Sequence, residues 1–255
     1  MNKESLHTHM ESELNDDSSV FEQIINRRRS NRKFDVSIKV PSHVVENSLR
    51  RAVLSPNSSN MQLWEFYWIR SEEIKSIFHG LCLGQNAAKT ADQFVVFVTR
   101  KDLWKKRARW NVDMIKSSVI GEETKIQKKA IKYYTKLMPL VYGSDILGLF
   151  TLLRSAVSFI MGLRKPFVRI TGKADQRVVV HKSCALAAQT FMLSVAAEGY
   201  DSCPMEGFDG HRVKKLLQLP KGAEVSMIVA VGKGTEKGIY GPRFRVPYEE
   251  VVFTR

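Results

Sequence analysis

Ala185-Leu186-Ala187-Ala188-Gln189-Thr190-Phe191-Met192-Leu193 is an apolar run that leads through Gly199-Tyr200-Asp201-Ser202-Cys203 into Pro204-Met205-Glu206-Gly207-Phe208-Asp209. The run predicts a buried helix that stops at a glycine, the residue that accepts the left-handed backbone of a helix end most readily. Pro-x-Glu-Gly then predicts a short turn whose backbone amides lie bare beside an apolar wall. Such a surface suits a flat ligand with polar edges.

Working outward, strands are expected at Ser226–Val231, Phe94–Val98 and Trp64–Ile69, each rich in β-branched or aromatic residues. A first helix is expected over Val20–Arg28, with Val20, Phe21, Ile24 and Ile25 in one stripe and caps from Asp17-Ser18-Ser19. Pro41-Ser42 opens a second through Val44, Val45, Leu49, Ala52 and Val53, which stops at Ser55-Pro56. A chain of 255 residues, 44% hydrophobic, is large enough for one full core. We therefore expect a single domain over 20–255, preceded by a flexible polar arm over 1–19, with a helical insertion at about 102–172 that is basic over roughly 102–142.

The formal charge of +14 and a pI near 9.7 favour polyanionic partners. The cations are dispersed, with short runs such as Lys105-Lys106-Arg107 and Lys128-Lys129, and no nucleic-acid-reading module is present, so no specific nucleic acid is expected. Cys82, Cys184 and Cys203 are odd in number and lack a CxxC spacing, which points to a reducing compartment. The polar first 17 residues carry no export signal, so the expected location is cytoplasmic. His7-Thr8-His9 reads as part of a solvated arm rather than a metal site, and no metal is expected. No Gly-x-Gly-x-x-Gly fingerprint occurs, and Gly232-Lys233-Gly234 is too short to be one.

Ile146–Leu163 has one charged residue, Arg154, and reaches the lower length limit for a membrane span. An arginine near the bilayer centre costs about 2.5–3.5 kcal/mol on insertion scales, and the run has no spare length. A span would also place the residues before and after it on opposite sides of a membrane. A buried or partner-covered helix is the expectation. Arg164, Lys165 and Arg169 keep open a helix lying on an acidic membrane surface, over 146–169.

Two arginine clusters stand far apart. Arg27-Arg28-Arg29-Ser30-Asn31-Arg32 closes the first helix, and Gly241-Pro242-Arg243-Phe244-Arg245-Val246-Pro247 places two arginines on one side of an extended segment. Forked guanidinium donors suit a phosphate monoester. Between them lies Pro56-Asn57-Ser58-Ser59-Asn60-Met61-Gln62, a loop rich in hydroxyl and amide groups.

Taken in order, Arg-Arg-Ser-x-Arg, Ser-Pro-Asn-Ser-Ser-Asn-x-Gln-x-Trp, Pro-x-Glu-Gly-Phe-Asp and Arg-x-Arg-x-Pro resemble the nitroreductase family of flavin mononucleotide (FMN) oxidoreductases, from about Phe21 to Val252. The resemblance implies an α+β fold, a three-layer sandwich with a central mixed sheet covered by helices, a homodimer, FMN as cofactor and NAD(P)H as hydride donor. It also implies small oxidised acceptors such as nitroaromatics or quinones, taken up after the donor leaves in a ping-pong cycle. Arg28, Arg29, Ser30, Arg243 and Arg245 would surround the phosphate and ribityl chain, and Arg32 would approach N1 and O2 of the isoalloxazine. Pro204, Met205, Glu206 and Gly207 would lie along the ring, with a backbone amide near N5. Pro56, Asn57, Ser58, Asn60 and Gln62 would add contacts, in part from the second subunit. No side chain is implied as a catalytic acid or base, since hydride transfer needs none, and Glu206 reads as structural.

The chain departs from the family pattern at Gln62-Leu63-Trp64, where relatives carry Gln-Pro-Trp. A flavin-edge contact falls to Gln85, Asn86 or Lys89. The stretch 102–172 is where this family elaborates its acceptor pocket. Other readings on the same fold are reductive dehalogenation, flavin conversion, or a basic flavin-binding protein of a membrane or nucleic acid without turnover.

Overall fold

The central strand, Gln93-Phe94-Val95-Val96-Phe97-Val98-Thr99, is buried along its whole length. Its alternate side chains enter two separate cores: Phe94, Val96 and Val98 on one face, Val95 and Phe97 on the other. A continuous apolar strand of this kind needs both faces covered. The computed structural model describes residues 16–143, 148–169 and 172–255. His7-Thr8-His9 and most of the expected arm lie outside them.

In chain order the elements are α1 (residues 16–27), α2 (Ser42–Ala52), β1 (Trp64–Ile69), α3 (Glu72–Leu81), α4 (Asn86–Thr90) and β2 (Gln93–Thr99). Next come α5 (Trp104–Ser117), α6 (Lys125–Lys132), α7 (Met138–Tyr142), α8 (Leu149–Arg164), α9 (Lys173–Ala197), β3 (Asp201–Met205), α10 (Gly210–Leu216) and β4 (Glu224–Gly232). A π-helical turn, Tyr133–Leu137, joins α6 to α7. The sheet runs β1-β2-β4-β3, and its three ladders are antiparallel. The mixed character expected of it is confined, among the described residues, to one isolated parallel bridge between Ser30 and Ser202.

One face of the sheet packs on α3, α4 and α10, whose Phe78, Ala88 and Val213 join Phe94 and Val96 in the first core. The other packs on α2 and α9, with Val44, Val45, Phe191 and Val195 against Val95 and Phe97. Phe97 meets Phe191 edge-on, with ring centroids 5.6 Å apart. This is the α+β sandwich the motifs imply.

The 25-residue α9 contains the expected run Ala185–Leu193. It stops as expected at Gly199, with φ of 89°. The Tyr200 amide donates to the Val195 carbonyl and the Gly199 amide to Ala196, the paired bonds of a Schellman ending. Among the described residues α9 is the helix long and apolar enough to cross a membrane. Its buried side chains already pack on the sheet and α2.

Several expectations shift. The Pro204 turn starts later than expected, because Pro204 and Met205 belong to β3. Proline is tolerated there because β3 is an edge strand, where a missing N–H removes no necessary ladder bond. The stripe of α1 is split: Val20 and Phe21 are exposed, and Ile24 and Ile25 alone turn partly inward. Residues 16–19, expected in the arm, form its first turn. Val53 lies beyond the end of α2 and is exposed. The apolar run placed at Ile146–Leu163 is α8, with residues 146–147 outside the described part, and it is not buried within the chain: Ser158 is its one buried residue.

Candidate functional site

After α1 the chain crosses the β3 edge. Asn31 N–H donates to the Ser202 carbonyl at 3.2 Å and Arg32 N–H to the Gly238 carbonyl at 2.8 Å. The buried Asn31 side chain locks this crossing, donating to the Thr235 carbonyl at 3.0 Å and accepting from Lys33 N–H at 3.1 Å. A Cβ on Gly238 would lie 1.8 Å from Asn31 Oδ1, one on Gly234 2.1 Å from Asn31 Nδ2, and one on Gly232 2.6 Å from the Phe34 ring. Gly232-Lys233-Gly234 is thus a packing device for residues 31–34.

This seam joins the two arginine clusters. Arg243 Nη2 donates to the carbonyls of Ile25, Asn26 and Arg28 at 3.2, 3.0 and 2.9 Å, capping the end of α1. Arg29 Nη2 donates to the Gly241 carbonyl at 2.7 Å, and Arg32 lies over the Tyr240 ring at 5.2 Å. The result is a pocket of about 270 Å³ lined by Arg28, Arg29, Ser30, Arg32, Arg243 and Arg245 with Tyr240 and Phe244. None of these five arginines forms an ion pair among the described residues. Burial, then Arg243, Arg245 and Arg29, lower the Arg28 guanidinium below its usual range. An anion bound there would relieve a repulsion built into the fold.

None of Pro204, Met205, Glu206 and Gly207 lines this pocket, but the turn beyond β3 is tied to its rim through Gln85 and Asn86, which reach Gly207 and Tyr240. Glu206 and Gly207 are exposed, and neither amide donates to an acceptor among the described residues. Ladder amides alternate in direction, so the Glu206 N–H shares the outer edge along which residues 29–31 run. The Gly207 carbonyl accepts from Gln85 Nε2 at 2.6 Å, and a Cβ on Gly207 would stand 3.1 Å from that nitrogen. Gln85 is therefore the member of the Gln85, Asn86 and Lys89 trio bonded to the turn, while Asn86 reaches toward the Tyr240 hydroxyl at 3.5 Å. Met205, predicted in the site, is 2% exposed and its side chain belongs to the core. The Glu206 carboxylate has no hydrogen-bond or ion-pair partner among the described residues.

The loop Pro56–Gln62 lies elsewhere in the chain, and none of it lines the arginine pocket. Its polar groups are largely spent internally: Asn57 Oδ1 accepts from Gln62 N–H at 2.8 Å, and Asn60 Nδ2 donates to Asn111 at 3.2 Å. Ser59 and Asn60 take left-handed backbone, with φ of 57° and 49°. Ser58 and Ser59 border an apolar cavity of about 590 Å³ walled by Tyr133, Val141, Phe150, Val157 and Gln176. Gln176 Oε1 is buried there without a hydrogen-bond partner.

The three cysteines are free and buried. Burial pushes the thiol of Cys82 up to about 11 and that of Cys184 up to about 12. Burial also raises Cys203, against the opposing charge of Arg32. Thiols held protonated in this way are poor nucleophiles.

Sequence reasoning missed Asn31, Tyr240, Gly234 and Gly238. The available signal was the glycine-rich stretch 232–241 directly after a strand, which marks close backbone approach.

A model of the nitroreductase family matches residues 25–233. The Synechocystis protein DrgA is 27% identical over 212 residues, covering 83% of each chain. An NADH dehydrogenase of Thermus thermophilus is 27% identical over 229 residues, covering 90% of this chain and 93% of the other. A solved Exiguobacterium sibiricum structure, described as a nitroreductase in complex with FMN, superposes with a TM-score of 0.64 at 20% identity, covering 92% of this chain and 97% of that one. The chain belongs to the nitroreductase family.

Proposed function

We propose that this protein is an FMN-dependent oxidoreductase that passes hydride from NADH or NADPH to small oxidised acceptors, nitroaromatics or quinones among them. The observation that carries this reading is the convergence of five arginines without a carboxylate, with the turn of two unspent backbone amides tied to the pocket's rim through Gln85 and Asn86. Such a donor set fits FMN from end to end: cations for a phosphate near two negative charges, and amides for a ring edge. When bound, FMN supplies the two-electron carrier between donor and acceptor.

In this reading Arg28, Arg29, Ser30 and Arg245 hold the phosphate and ribityl chain. Arg243 serves them indirectly, by tying residues 243–245 to α1. Arg32 supplies a fixed cation to the ring's N1 and O2 side, and the Glu206 amide on the outer edge faces N5. The exposed position of Gly207 leaves room for the close approach this requires. Pro56, Asn57, Ser58, Asn60 and Gln62 reach the cofactor from the second copy of a homodimer, which accounts for their separation from the arginines of their own chain. The apolar cavity beside Ser58 takes the acceptor, and Gln176 Oε1 offers it one hydrogen-bond acceptor. Donor and acceptor use one ring face in turn, giving ping-pong kinetics in a cytoplasmic setting that keeps the thiols reduced.

The test is to incubate the purified protein with FMN, remove the excess, and titrate anaerobically with NADH and with NADPH. Retained flavin that is bleached by at least one donor and recovered by a quinone supports the reading. A protein that retains no flavin overturns it.

A further inference from the structure

The helix α8 is amphipathic in the inverted sense. At 100° per residue, Leu152, Phe159, Ile160 and Leu163 fall within an arc of about 100°, and they are 69, 62, 57 and 71% exposed, while Phe150, Leu153 and Val157 border the apolar cavity beside Ser58. The opposite side carries Thr151, Ser155, Ser158 and Gly162, and it is this small, polar side that faces the protein: Ser158 is buried, and its hydroxyl donates to the Val168 carbonyl at 2.8 Å. Arg154 fixes the helix to the body, its Nη1 donating to the carbonyls of Leu140, Val141 and Gly143 at 3.0, 2.8 and 2.8 Å. At Gly162 the missing Cβ leaves space for the Arg169 guanidinium, whose Nη1 donates to the Ser158 carbonyl at 3.4 Å. An apolar stripe of this size turned outward on a fixed helix needs a cover.

Charge selects the cover. Residues 148–174 contain Arg154, Arg164, Lys165, Arg169 and Lys173 and no aspartate or glutamate. Arg164, Lys165 and Lys173 are exposed and form no ion pair among the described residues. Pairing two copies through α8 would oppose like charges in a parallel arrangement, and in an antiparallel one would set these cations against the positive end of the partner helix. An anionic lipid surface meets both needs, with acyl chains for the stripe and headgroups for the cations. Sixteen residues make a helix about 24 Å long, short of the ~30 Å hydrocarbon core, so it lies in the interface rather than across it.

We infer that the outer face of α8 is a docking surface for membranes containing anionic lipid. The inference is independent of the flavin, and the two are read separately. The full chain is mixed with vesicles of phosphatidylcholine alone or with added phosphatidylglycerol, and bound protein is measured by flotation at several salt concentrations. Expected is retention on the anionic vesicles that falls steeply with salt, and little retention on the neutral ones. Phe159→Glu with Leu163→Glu should abolish retention while leaving the circular dichroism spectrum and melting temperature unchanged. Arg164→Gln and Lys165→Gln should each weaken retention about fivefold. The inference is overturned if the wild type stays with neither vesicle, or if the double glutamate variant is retained as well as the wild type. It is equally overturned if that variant instead reduces the size of an assembly in light scattering while the wild type ignores lipid, which would give the face to a second copy. Loss of vesicle binding with FMN retained sinks this inference alone, and the converse sinks the flavin reading alone.

Discussion

Two neighbouring apolar helices use their side chains in opposite ways. α9 buries Phe191, Val195, Ala187 and Ala188 against the sheet, whereas α8 turns Leu152, Phe159 and Leu163 to the outside. The arginines repeat the contrast in charge. Arg100 pairs with Asp102 at 2.9 Å and with Glu65, and these bonds, led by Asp102, raise its guanidinium above the usual range despite burial. Arg28 is part-buried among other arginines and has no carboxylate, so its guanidinium is lowered. One set of groups is completed by its own chain and supports the fold. The other set is left incomplete, and incompleteness of this kind marks where a ligand or partner acts.

The contrast can be broken by substitution, since changes in the completed set should cost stability and changes in the other set should cost binding. The largest effect is expected from Phe191→Ala, which opens a cavity between α9 and β2 and should lower unfolding free energy by about 3–5 kcal/mol in denaturant titration. Arg28→Ala should weaken FMN retention by roughly tenfold to a hundredfold, the worth of a hydrogen bond to a charged group. Its melting temperature should not fall, because the change removes a repelled cation. A stability loss as large as that of Phe191→Ala, with flavin binding intact, would break the division between the two sets.

A third effect depends on pH. The Asp92 carboxylate is partly buried, which alone would raise its pKa. It accepts from Val40 N–H at 2.8 Å and Gln93 Nε2 at 3.2 Å and lies 3.2 Å from Lys39 Nζ, and together these lower it. A carboxyl with a lowered folded pKa contributes stability above its unfolded value, near 3.9, and loses it as pH falls through the folded value. Acid unfolding of Asp92→Asn should therefore be shallower below about pH 4 than that of the wild type, as followed by circular dichroism. The smallest effect is expected at Leu163→Ser, which should shift stability by less than about 0.5 kcal/mol while weakening vesicle retention. A loss of several kcal/mol there would mean that α8 is held by its apolar face after all.

Much of this was legible in the residues. β1, β2 and β4 announce themselves through runs such as Trp64–Ile69 and Phe94–Val98, where β-branched and aromatic side chains follow one another. β3 does not, because Asp201-Ser202-Cys203-Pro204-Met205 has no β-branched residue and a proline. It is a strand because β4 offers it a ladder and its outer edge tolerates the missing N–H. Arg28 and Arg243 each read alone as a basic surface loop or helix end. They meet because Asn31 and the glycines at 232, 234 and 238 let two backbones approach closely, a contact between positions some 200 residues apart in the chain. The loop Pro56–Gln62 was legible as a polar loop, but its distance from the arginines within one chain was not.

Local chemistry, readable in the sequence alone, determined that this chain would build a helix-covered sheet, end α9 at Gly199 and carry cations suited to phosphate. Side-chain period, turn residues and charge act over a few neighbours and survive any arrangement of the rest. The tertiary structure decided which arginines share a pocket, that Met205 serves the core while Glu206 and Gly207 face out, and which side of α8 is left uncovered. Those outcomes depend on packing between distant segments. The same amphipathic spacing that buries one helix face can present another, according to where its small residues find a surface to lie against.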